Sequence, residues 1–457
     1  MKLNSISFAL MAAIALSSCS SEEIVDTNSD VQGKAISFNP MVGHATRAVE
    51  TTINNLGDFS VYAKGVHPHG TLYESFIIGD GTSGPEIAHY NNKGITEEGK
   101  GIWELDRKVY WPSGMNDMLF WAFTTQQRPK SDTDNSTLYS GSISFKTTGP
   151  EITGFEPGRA DLTTTSSTGT EWIDGHSQKD LLIAFTHQKS SESTAINMQF
   201  KHALSQIDIQ AQQKDKEDTD HRIVKIKGAW IVNAKTKGTL SAGYETTTTD
   251  NHFSCTENAT WALENVSGLY GSYYKNAVEL TSTQNILGNN GNLMIIPQSV
   301  SKWDGSTNNN SSGAYILLLC RVELKHEGST HTGNDGDLSD IHVDGDYHYH
   351  QLFPANDTYD AEQYGFSCVP LDATWEMGKK YTYTLDICGK KTGAGIYPPL
   401  IDDEMLKKLV PTSEQGANII RNNDVNKVGD KVLNEPIKFS VSVEGWGTPI
   451  GNWIEGQ

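Results

Sequence analysis

The sequence is poor in cysteine, short of positive charge and without any long hydrophobic run beyond its start. Its five cysteines in 457 residues include no Cys-x-x-Cys pair, so their spacing excludes a zinc ribbon. Acidic residues outnumber basic ones by 56 to 36, which excludes nucleic acid as a partner because nucleic acids select basic surfaces. The longest later apolar run, residues 315–320, suits a buried strand, whereas a membrane helix needs about 20 residues.

The first residues carry an export signal. Lys2 supplies positive charge, residues 6–16 form a short apolar run, and Leu16-Ser17-Ser18-Cys19 places small residues before a cysteine. This pattern resembles the bacterial lipobox, with Cys19 as the lipidated first mature residue; an ordinary signal peptide with a chance cysteine is the alternative. We therefore predict a lipoprotein signal peptide at residues 1–18 and a flexible acidic tether at 19–34.

The polar and acidic residues after the cysteine bear on location. Ser20-Ser21-Glu22-Glu23 looks like the tag with which Bacteroidetes send lipoproteins to the outer face of the outer membrane. The four other cysteines, Cys255, Cys320, Cys368 and Cys388, suit a compartment in which a disulfide can form, but the sequence assigns no pair. We expect a surface-exposed protein of the cell outer membrane.

The body of the chain alternates apolar and polar residues with a period of two. Phe59, Val61 and Ala63 show this near the start. Such alternation is typical of antiparallel sheets with one buried face, so we predict an all-β fold, with sandwiches as its architecture. Long polar loops are expected at residues 130–141, 161–171, 242–252, 302–313 and 326–346. A single short helix is expected at 402–410, stopped by Pro411.

The loop around residues 187–195 is the best candidate for a domain boundary. It predicts an N-terminal sandwich at 35–192 and a C-terminal sandwich at 193–457. Within residues 198–211 the alternation also changes phase, which predicts a bulge or bend near Ser205-Gln206.

Several motifs of catalysis and cofactor binding almost match and fail. Gly79-Asp80-Gly81-Thr82-Ser83-Gly84 fits a dinucleotide-binding pattern, but Pro85 follows and no helix is predicted there. His326-Glu327 and His331 have one residue too many for a helical zinc motif. No nucleophile elbow occurs. We predict that the protein is not an enzyme and has no cofactor.

An acidic stretch at residues 335–350 leaves two interpretations open. Its carboxylates include Asp335, Asp337, Asp344 and Asp346, and its histidines are His342, His348 and His350. Clustered carboxylates suit calcium and histidines suit a transition metal, whereas the spacing of a known calcium loop is absent. A solvated acidic loop is the favoured interpretation, and a metal site at an adhesive tip is the alternative.

Five segments in this order, after a lipobox, resemble the fimbrillin family of Bacteroidales, the subunits of type V pili. They are Ile36-Ser37-Phe38 with Thr46-Arg47-Ala48, Phe59-Ser60-Val61-Tyr62-Ala63, Tyr110-Trp111-Pro112 with Phe120-Trp121-Ala122, Phe200-Lys201-His202-Ala203-Leu204-Ser205-Gln206-Ile207, and Pro436-Ile437-Lys438-Phe439-Ser440-Val441.

The resemblance implies two transthyretin-like sandwich domains and a particular route of assembly. Family precursors are lipidated, exported and then cut after an arginine. The resemblance implies that this cleavage occurs here after Arg47, with Ala48 as the new N-terminus. Cutting there would release residues 35–47, the removable strand with Ile36 and Phe38. A strand of the next pilin subunit would then fill the groove. The donor candidate is the alternating run Ile437, Phe439, Val441 and Val443. The other interpretation is that this run is the last strand of the core.

The resemblance implies a structural fimbrial subunit, tethered to the outer membrane through Cys19 and joined to other pilin subunits. The short tail with Gly447, Pro449 and Gly451, the acidic loop and the helix suggest a tip or minor subunit. The alternative is a surface-anchored, lectin-like adhesin that does not polymerise. Either function allows a ligand on a host or bacterial surface.

The N-terminus of protein sheared from the cell surface distinguishes a processed fimbrial subunit from a protein that keeps its lipid anchor. We expect mass spectrometry to find Ala48 as the first residue, because assembly requires cleavage after Arg47. An acylated Cys19 in the sheared protein would instead mean a retained anchor or a different function.

Overall fold

The structure, a computed structural model, is built almost entirely of strands, which confirms the predicted all-β class. It describes residues 35–42, 52–68, 70–91, 102–125, 142–158, 178–192, 195–214, 221–249, 252–287, 292–328, 341–416 and 418–446. The strands are β1 (Ser37–Val42), β2 (Phe59–Val66), β3 (Leu72–Ile78), β4 (Glu86–Asn91), β5 (Ile102–Leu105), β6 (Asp117–Thr124), β7 (Ser142–Lys146), β8 (Gly149–Phe155), β9 (Leu182–Lys189), β10 (Ala195–His202), β11 (Ser205–Gln212), β12 (Arg222–Lys235), β13 (Gly238–Thr249), β14 (His252–Leu263), β15 (Ser267–Glu279), β16 (Gln284–Asn285), β17 (Leu293–Ile295), β18 (Gln298–Val300), β19 (Tyr315–Glu327), β20 (Ile341–Asp344), β21 (Tyr347–Phe353), β22 (Tyr364–Pro370), β23 (Ala373–Trp375), β24 (Lys379–Asp386), β25 (Ile419–Ile420) and β26 (Lys438–Gly445).

The predicted helix is present as α1 (Asp403–Leu409). The side chain of Asp402 accepts a hydrogen bond from the backbone N–H of Met405 and caps its first turn. Leu406 and Leu409 are buried on one side of this helix. Among the described residues, no helix has the length and apolar character needed to cross a membrane.

The first sheet closes on itself. Its eight strands have the order β3-β2-β4-β5-β1-β10-β9-β6, and β2 also pairs with β6, so that all of them except β3 form a ring. β3 pairs with β2 beside the ring. The ring encloses the first core, whose members come from alternate positions of its strands: Ile36, Phe38, Val42, Phe59, Val61, Ala63, Trp103, Phe120, Leu182, Ile196, Met198 and Phe200. Closure matters because each strand of the ring then has both edges paired.

A second core lies on the outside of this ring. The four-stranded sheet β14-β13-β8-β7 contributes side chains such as Ile152 and Leu240, which pack against Tyr62 and Trp121 of the ring. All eight residues of β2 are buried for this reason, since its inner residues face the first core and Tyr62 faces the second.

The C-terminal part consists mainly of two further sheets. One has the order β16-β11-β24-β26 with β17 beside β11, and the other has the order β15-β12-β19-β21-β20 with β22 and β25 attached. A large core contains alternate residues of β11, β12, β19 and β24, including Ile207, Ile226, Leu318 and Tyr383. The other face of β19 packs with α1 in a separate core that includes Leu317 and Leu409.

Three strand pairings are parallel, unlike the predicted antiparallel sheets. They join β1 to β10, β11 to β24 and β22 to β25. Alternation reports which face of a strand is buried, and it contains no information about the direction of the neighbouring strand. Partners far apart in the chain therefore could not be oriented from the sequence.

Three sequence expectations on segment limits differ from the structure. Residues 326–346, predicted as a loop, include the end of β19 and all of β20. The predicted boundary between residues 192 and 193 lies inside the first sheet, because β10 pairs with β1 and β9, and the chain leaves this sheet only at Ala203-Leu204. Residues 242–252, predicted as a loop, lie mostly in the paired strands β13 and β14. Threonine is polar enough for a surface loop, but it is β-branched and therefore also suits a strand.

The central strand β19 carries a buried ion pair. Arg321 and Glu323 are buried, and Nε of Arg321 donates a hydrogen bond to Oε1 of Glu323 at 2.6 Å. Tyr359 donates to the same carboxylate at 2.7 Å, and Lys225 Nζ lies 3.1 Å from it. Burial acts to raise the pKa of Glu323, but the hydrogen bonds and these cations lower it below the usual value. The carboxylate is therefore charged and fully partnered.

Removing one partner of this pair should destabilise the fold strongly. We expect Arg321→Met to lower the free energy of unfolding by about 3–5 kcal/mol, because it leaves a buried charge without its partner. The double substitution Arg321→Met with Glu323→Met should recover much of this loss. Lys407→Met, in a solvent-exposed pair with Glu404, should lower the free energy of unfolding far less.

Urea unfolding at neutral pH measures these differences. The folded pKa of Glu323 is lowered, so its contribution is present above its unfolded pKa and is lost as the pH falls through the folded value. A loss for Arg321→Met as small as that for Lys407→Met would contradict the argument.

Candidate assembly site

Strand β1 lies between two strands of the closed sheet. Its residues pair in parallel with β10, from Ser37 opposite Ala195 to Val42 opposite Phe200. On its other edge Phe38 pairs with Trp103 of β5, and the backbone N–H of Ile36 donates to the carbonyl of Val109 at 2.8 Å. The strand therefore closes the ring between β5 and β10.

Alternate side chains of β1 point into the first core. Ile36, Phe38, Pro40 and Val42 are buried, whereas Ser37 and Asn39 are exposed. The Phe38 ring contacts Phe59 edge to face with centroids 5.6 Å apart. Phe59 in turn packs against Phe200 at 5.2 Å. Loss of β1 would therefore remove both a strand and a row of core side chains.

The processing and lipidation residues lie outside the described part of the chain. Arg47 and Ala48 follow Val42 by a short segment beyond the described end of β1, and Cys19 precedes the described residues altogether. Their roles remain predictions from the sequence. The structure places the strand that cleavage would release, and it gives no position for the bond that would be cut.

Strand β26 lies at the edge of its sheet. It pairs antiparallel with β24 along its whole length, from Lys438 opposite Asp386 to Gly445 opposite Lys379. All eight of its residues are exposed. The flanking residues are buried: Ile437 joins the large C-terminal core, and Trp446 stacks on His202 with ring centroids 4.0 Å apart.

The edge strand presents an apolar row to solvent. Phe439, Val441 and Val443 are 36%, 44% and 54% exposed. Their partners on β24 are the buried residues Leu385, Tyr383 and Tyr381, so the row lies beside the core without being covered by it. Of the four donor candidates, only Ile437 is a core residue. Long apolar edge strands of this kind invite pairing with another chain.

The two segments share one apolar pattern, which the sequence reasoning missed. Residues 36–42 read Ile-Ser-Phe-Asn-Pro-Met-Val, and residues 437–443 read Ile-Lys-Phe-Ser-Val-Ser-Val. Isoleucine, phenylalanine and valine occupy the first, third and seventh positions of both. Direct alignment of the two ends would have found this signal, because the positions that match are the buried positions of β1.

Only two of the four candidate metal-binding carboxylates lie in the part of the chain that the structure describes. Asp335 and Asp337 lie outside the described residues, and Asp344 and Asp346 are exposed where β20 turns into β21.

The four cysteines beyond Cys19 are all free thiols, and burial raises the pKa of Cys255 to about 12 and that of Cys320 to about 11. Such thiols are poor nucleophiles, which suits a packing role.

Comparison with known proteins gives a family and distant structural relatives. The sequence model of the fimbrillin-like family matches residues 46–396. A fimbrial protein from Bacteroides vulgatus is 14% identical, with 90% of this chain and 99% of that chain covered and a TM-score of 0.43. A candidate cell adhesion protein from Bacteroides uniformis is 12% identical, with 90% and 99% covered and a TM-score of 0.31.

A comparison with curated protein sequences gave no match. Because the identities are this low and the TM-scores are below 0.5, only the family match and the geometry of the chain itself bear on its function. The family points to a non-enzymatic structural protein of the cell surface, as the sequence predicted. Because the match spans most of the chain, this protein belongs to the fimbrillin-like family.

Proposed function

We propose that the protein is a fimbrial subunit that polymerises by strand exchange, with β1 as the removable strand and β26 as the donor. The observation that carries this proposal is the shared apolar pattern of a buried strand and an exposed edge strand. In the proposed register, Ile437, Phe439, Val441 and Val443 of one subunit take the places of Ile36, Phe38, Pro40 and Val42 of the next.

Loss of β1 would leave two kinds of unsatisfied surface. The edges of β5 and β10 would lose backbone hydrogen-bond partners, and the core around Phe59, Trp103 and Phe200 would face a groove. An added strand satisfies both, since its backbone restores the ladder and its alternate side chains fill the groove. Val441 in place of Pro40 also supplies an N–H that proline lacks.

Exchange requires β26 to leave β24. The backbone ladder on β24, the packing of Ile437 in the large C-terminal core and the stacking of Trp446 on His202 would be lost. A ladder in the neighbour's groove replaces the first. Full burial of a Phe or Val side chain contributes about 1.5–3 kcal/mol, and three such side chains are at least one-third exposed on β26. Their burial in the groove is the net gain.

The contact joins different surfaces of two subunits, so it does not close. Each subunit offers a groove left by its N-terminal strand and a donor strand near its C-terminus, so repeated joining gives a filament. The exposed apolar row of β26 supports a place within the fibre, because a tip subunit needs no donor. A minor subunit of the shaft is therefore our proposal.

Export and processing precede assembly in this scheme. Cys19 carries the lipid that holds the precursor on the outer membrane, and cleavage after Arg47 frees the protein and β1 together. The lipobox, the Thr46-Arg47-Ala48 site and the fimbrillin-like family match support this order.

Cleavage alone should convert the monomer into a polymer. A specific protease site placed directly after Arg47 allows this bond to be cut in the purified precursor. We expect the cut protein to form ladders on gels and fast-sedimenting species, whereas the uncut protein stays monomeric. The double variant Phe439→Asp with Val441→Asp should remain monomeric after cutting, because charged side chains cannot enter an apolar groove.

The matched control carries the same two charges on the other face of the same strand. Ser440→Asp with Ser442→Asp should polymerise like the unaltered protein, since these side chains would face away from the groove. Equal loss in both variants would assign the effect to charge or folding and not to the donor face. A cut, folded protein that stays monomeric and binds glycans would favour the non-polymerising adhesin.

The role of β1 in the precursor has its own test. Phe38→Ala should lower the free energy of unfolding of the uncut protein by about 3–5 kcal/mol, because it leaves a cavity beside Phe59. Ser37→Ala, on the exposed face, should change it by no more than about 0.5 kcal/mol. Urea unfolding measures both. After cleavage and removal of β1, a donor-filled Phe38→Ala protein should be as stable as the unaltered one.

A further inference from the structure

Three histidines lie together at the outer end of the seven-stranded sheet. His326 belongs to β19, and His348 and His350 belong to β21. One ring nitrogen of each lies within 4.8 Å of those of the other two. Among the residues that the structure describes, this is the single cluster of three or more such ligands.

Strand register places the three rings on one face. His326 is directly opposite His348 in the antiparallel ladder, and His350 follows two residues later, opposite Leu324. Directly paired residues and residues two apart share a face of the sheet. The ring centroids are accordingly 5.0 Å apart between His326 and His348, and 5.3 Å from each of these to His350.

The tautomer of His348 is set by the backbone. Its Nδ1 lies 2.8 Å from the carbonyl oxygen of Gly328, and because a carbonyl only accepts, Nδ1 must donate. The lone pair of the neutral ring is therefore on Nε2. Metal-binding histidines commonly have this arrangement, in which the second nitrogen donates to a carbonyl and fixes the orientation of the ring.

The surroundings combine a fixed ring with access from solvent. His348 is 6% exposed, whereas His326 and His350 are half-buried. Val343 of β20, which is opposite His348 on the same face, is 52% exposed. An ion can therefore reach the cluster, and the two half-buried rings can rotate toward it.

We propose that His326, His348 and His350 form a binding site for a transition-metal ion, Zn²⁺ or Cu²⁺. Imidazole is a preferred ligand of both ions, and Ca²⁺ requires oxygen ligands instead. At a metal–nitrogen distance of about 2.0–2.1 Å, tetrahedral geometry brings ligand nitrogens to about 3.4 Å from one another. Rotation of His326 and His350 from the present spacing of up to 4.8 Å achieves this.

The bound ion would connect side chains of β21 and β19. Three protein ligands leave one coordination position for water or for a donor from another molecule. This site differs from the acidic set that the sequence offered as an alternative interpretation. It contains none of its aspartates, and His342 lies on the opposite face of the hairpin, stacked on Tyr359 at 5.0 Å.

Calorimetric titration of the purified protein, without a polyhistidine tag, tests the proposal with Zn²⁺, Cu²⁺ and Ca²⁺. We expect Zn²⁺ and Cu²⁺ to bind with one ion per chain at this site, and Ca²⁺ not to compete for it. His326→Gln and His350→Gln should each weaken Zn²⁺ binding at least about tenfold, and His348→Ala by about 100-fold or more.

His342→Gln is the matched control, since it removes a histidine from the other face of the same hairpin. It should leave Zn²⁺ affinity unchanged. The thermal midpoint without metal should be unaltered in His326→Gln and His350→Gln, which shows that any loss of affinity is not a loss of fold. Absence of Zn²⁺ and Cu²⁺ binding, or binding that survives all three substitutions in the cluster, would overturn the proposal.

Discussion

Backbone groups at the edge of a buried strand need partners, and in this chain β1 supplies them for both β5 and β10. The strand is short, but it is inserted between two others and fills the core beneath it with Ile36, Phe38 and Val42. The closed ring depends on this insertion. The ring in turn supports the second sheet on its outer side, because β2 contributes to both cores.

The two ends of the described chain are physically unequal. The first strand buries alternate side chains and is paired on both edges, whereas the last strand, within the described part of the chain, has one unpaired edge and an apolar row in solvent. Buried Ile437 and Trp446 hold β26 at its two ends, and the residues between them are exposed. An edge of this kind is normally blunted by charge, a bulge or proline, and β26 has none of these at its apolar positions. The conflict between burial and exposure is resolved if β26 of one subunit occupies the place of β1 in another.

The C-terminal part stabilises its central strand in a different way. β19 packs apolar residues on both faces where it is buried, then carries the Arg321–Glu323 pair, and has His326 just before its last residue, Glu327. Its side chains thus change from apolar to ionic to imidazole as the strand leaves the core. Two polar groups near this end have partners suited to their burial: the Glu323 carboxylate for Nε of Arg321, and a backbone carbonyl for Nδ1 of His348.

The sequence by itself determined the fold class, the single helix and the family. Alternation with a period of two depends only on which residues are apolar, and Phe59, Val61 and Ala63 show it directly. The cap at Asp402 and the stop at Pro411 are likewise local chemistry. The pattern shared by residues 36–42 and 437–443 was also present in the sequence, although it had no meaning until one strand was found buried and the other exposed.

Only the tertiary structure decided partners, directions and assembled sites. The parallel pairing of β1 with β10 and the passage to the second half at Ala203-Leu204 depend on contacts between distant segments. The spacing of His326 and His331 gave no metal motif, and only strand register placed His326 beside His348 and His350. The physical reason is the same in each case. Local residue order fixes which face of a strand is apolar, but the neighbour that covers that face is chosen by the packing of the whole chain.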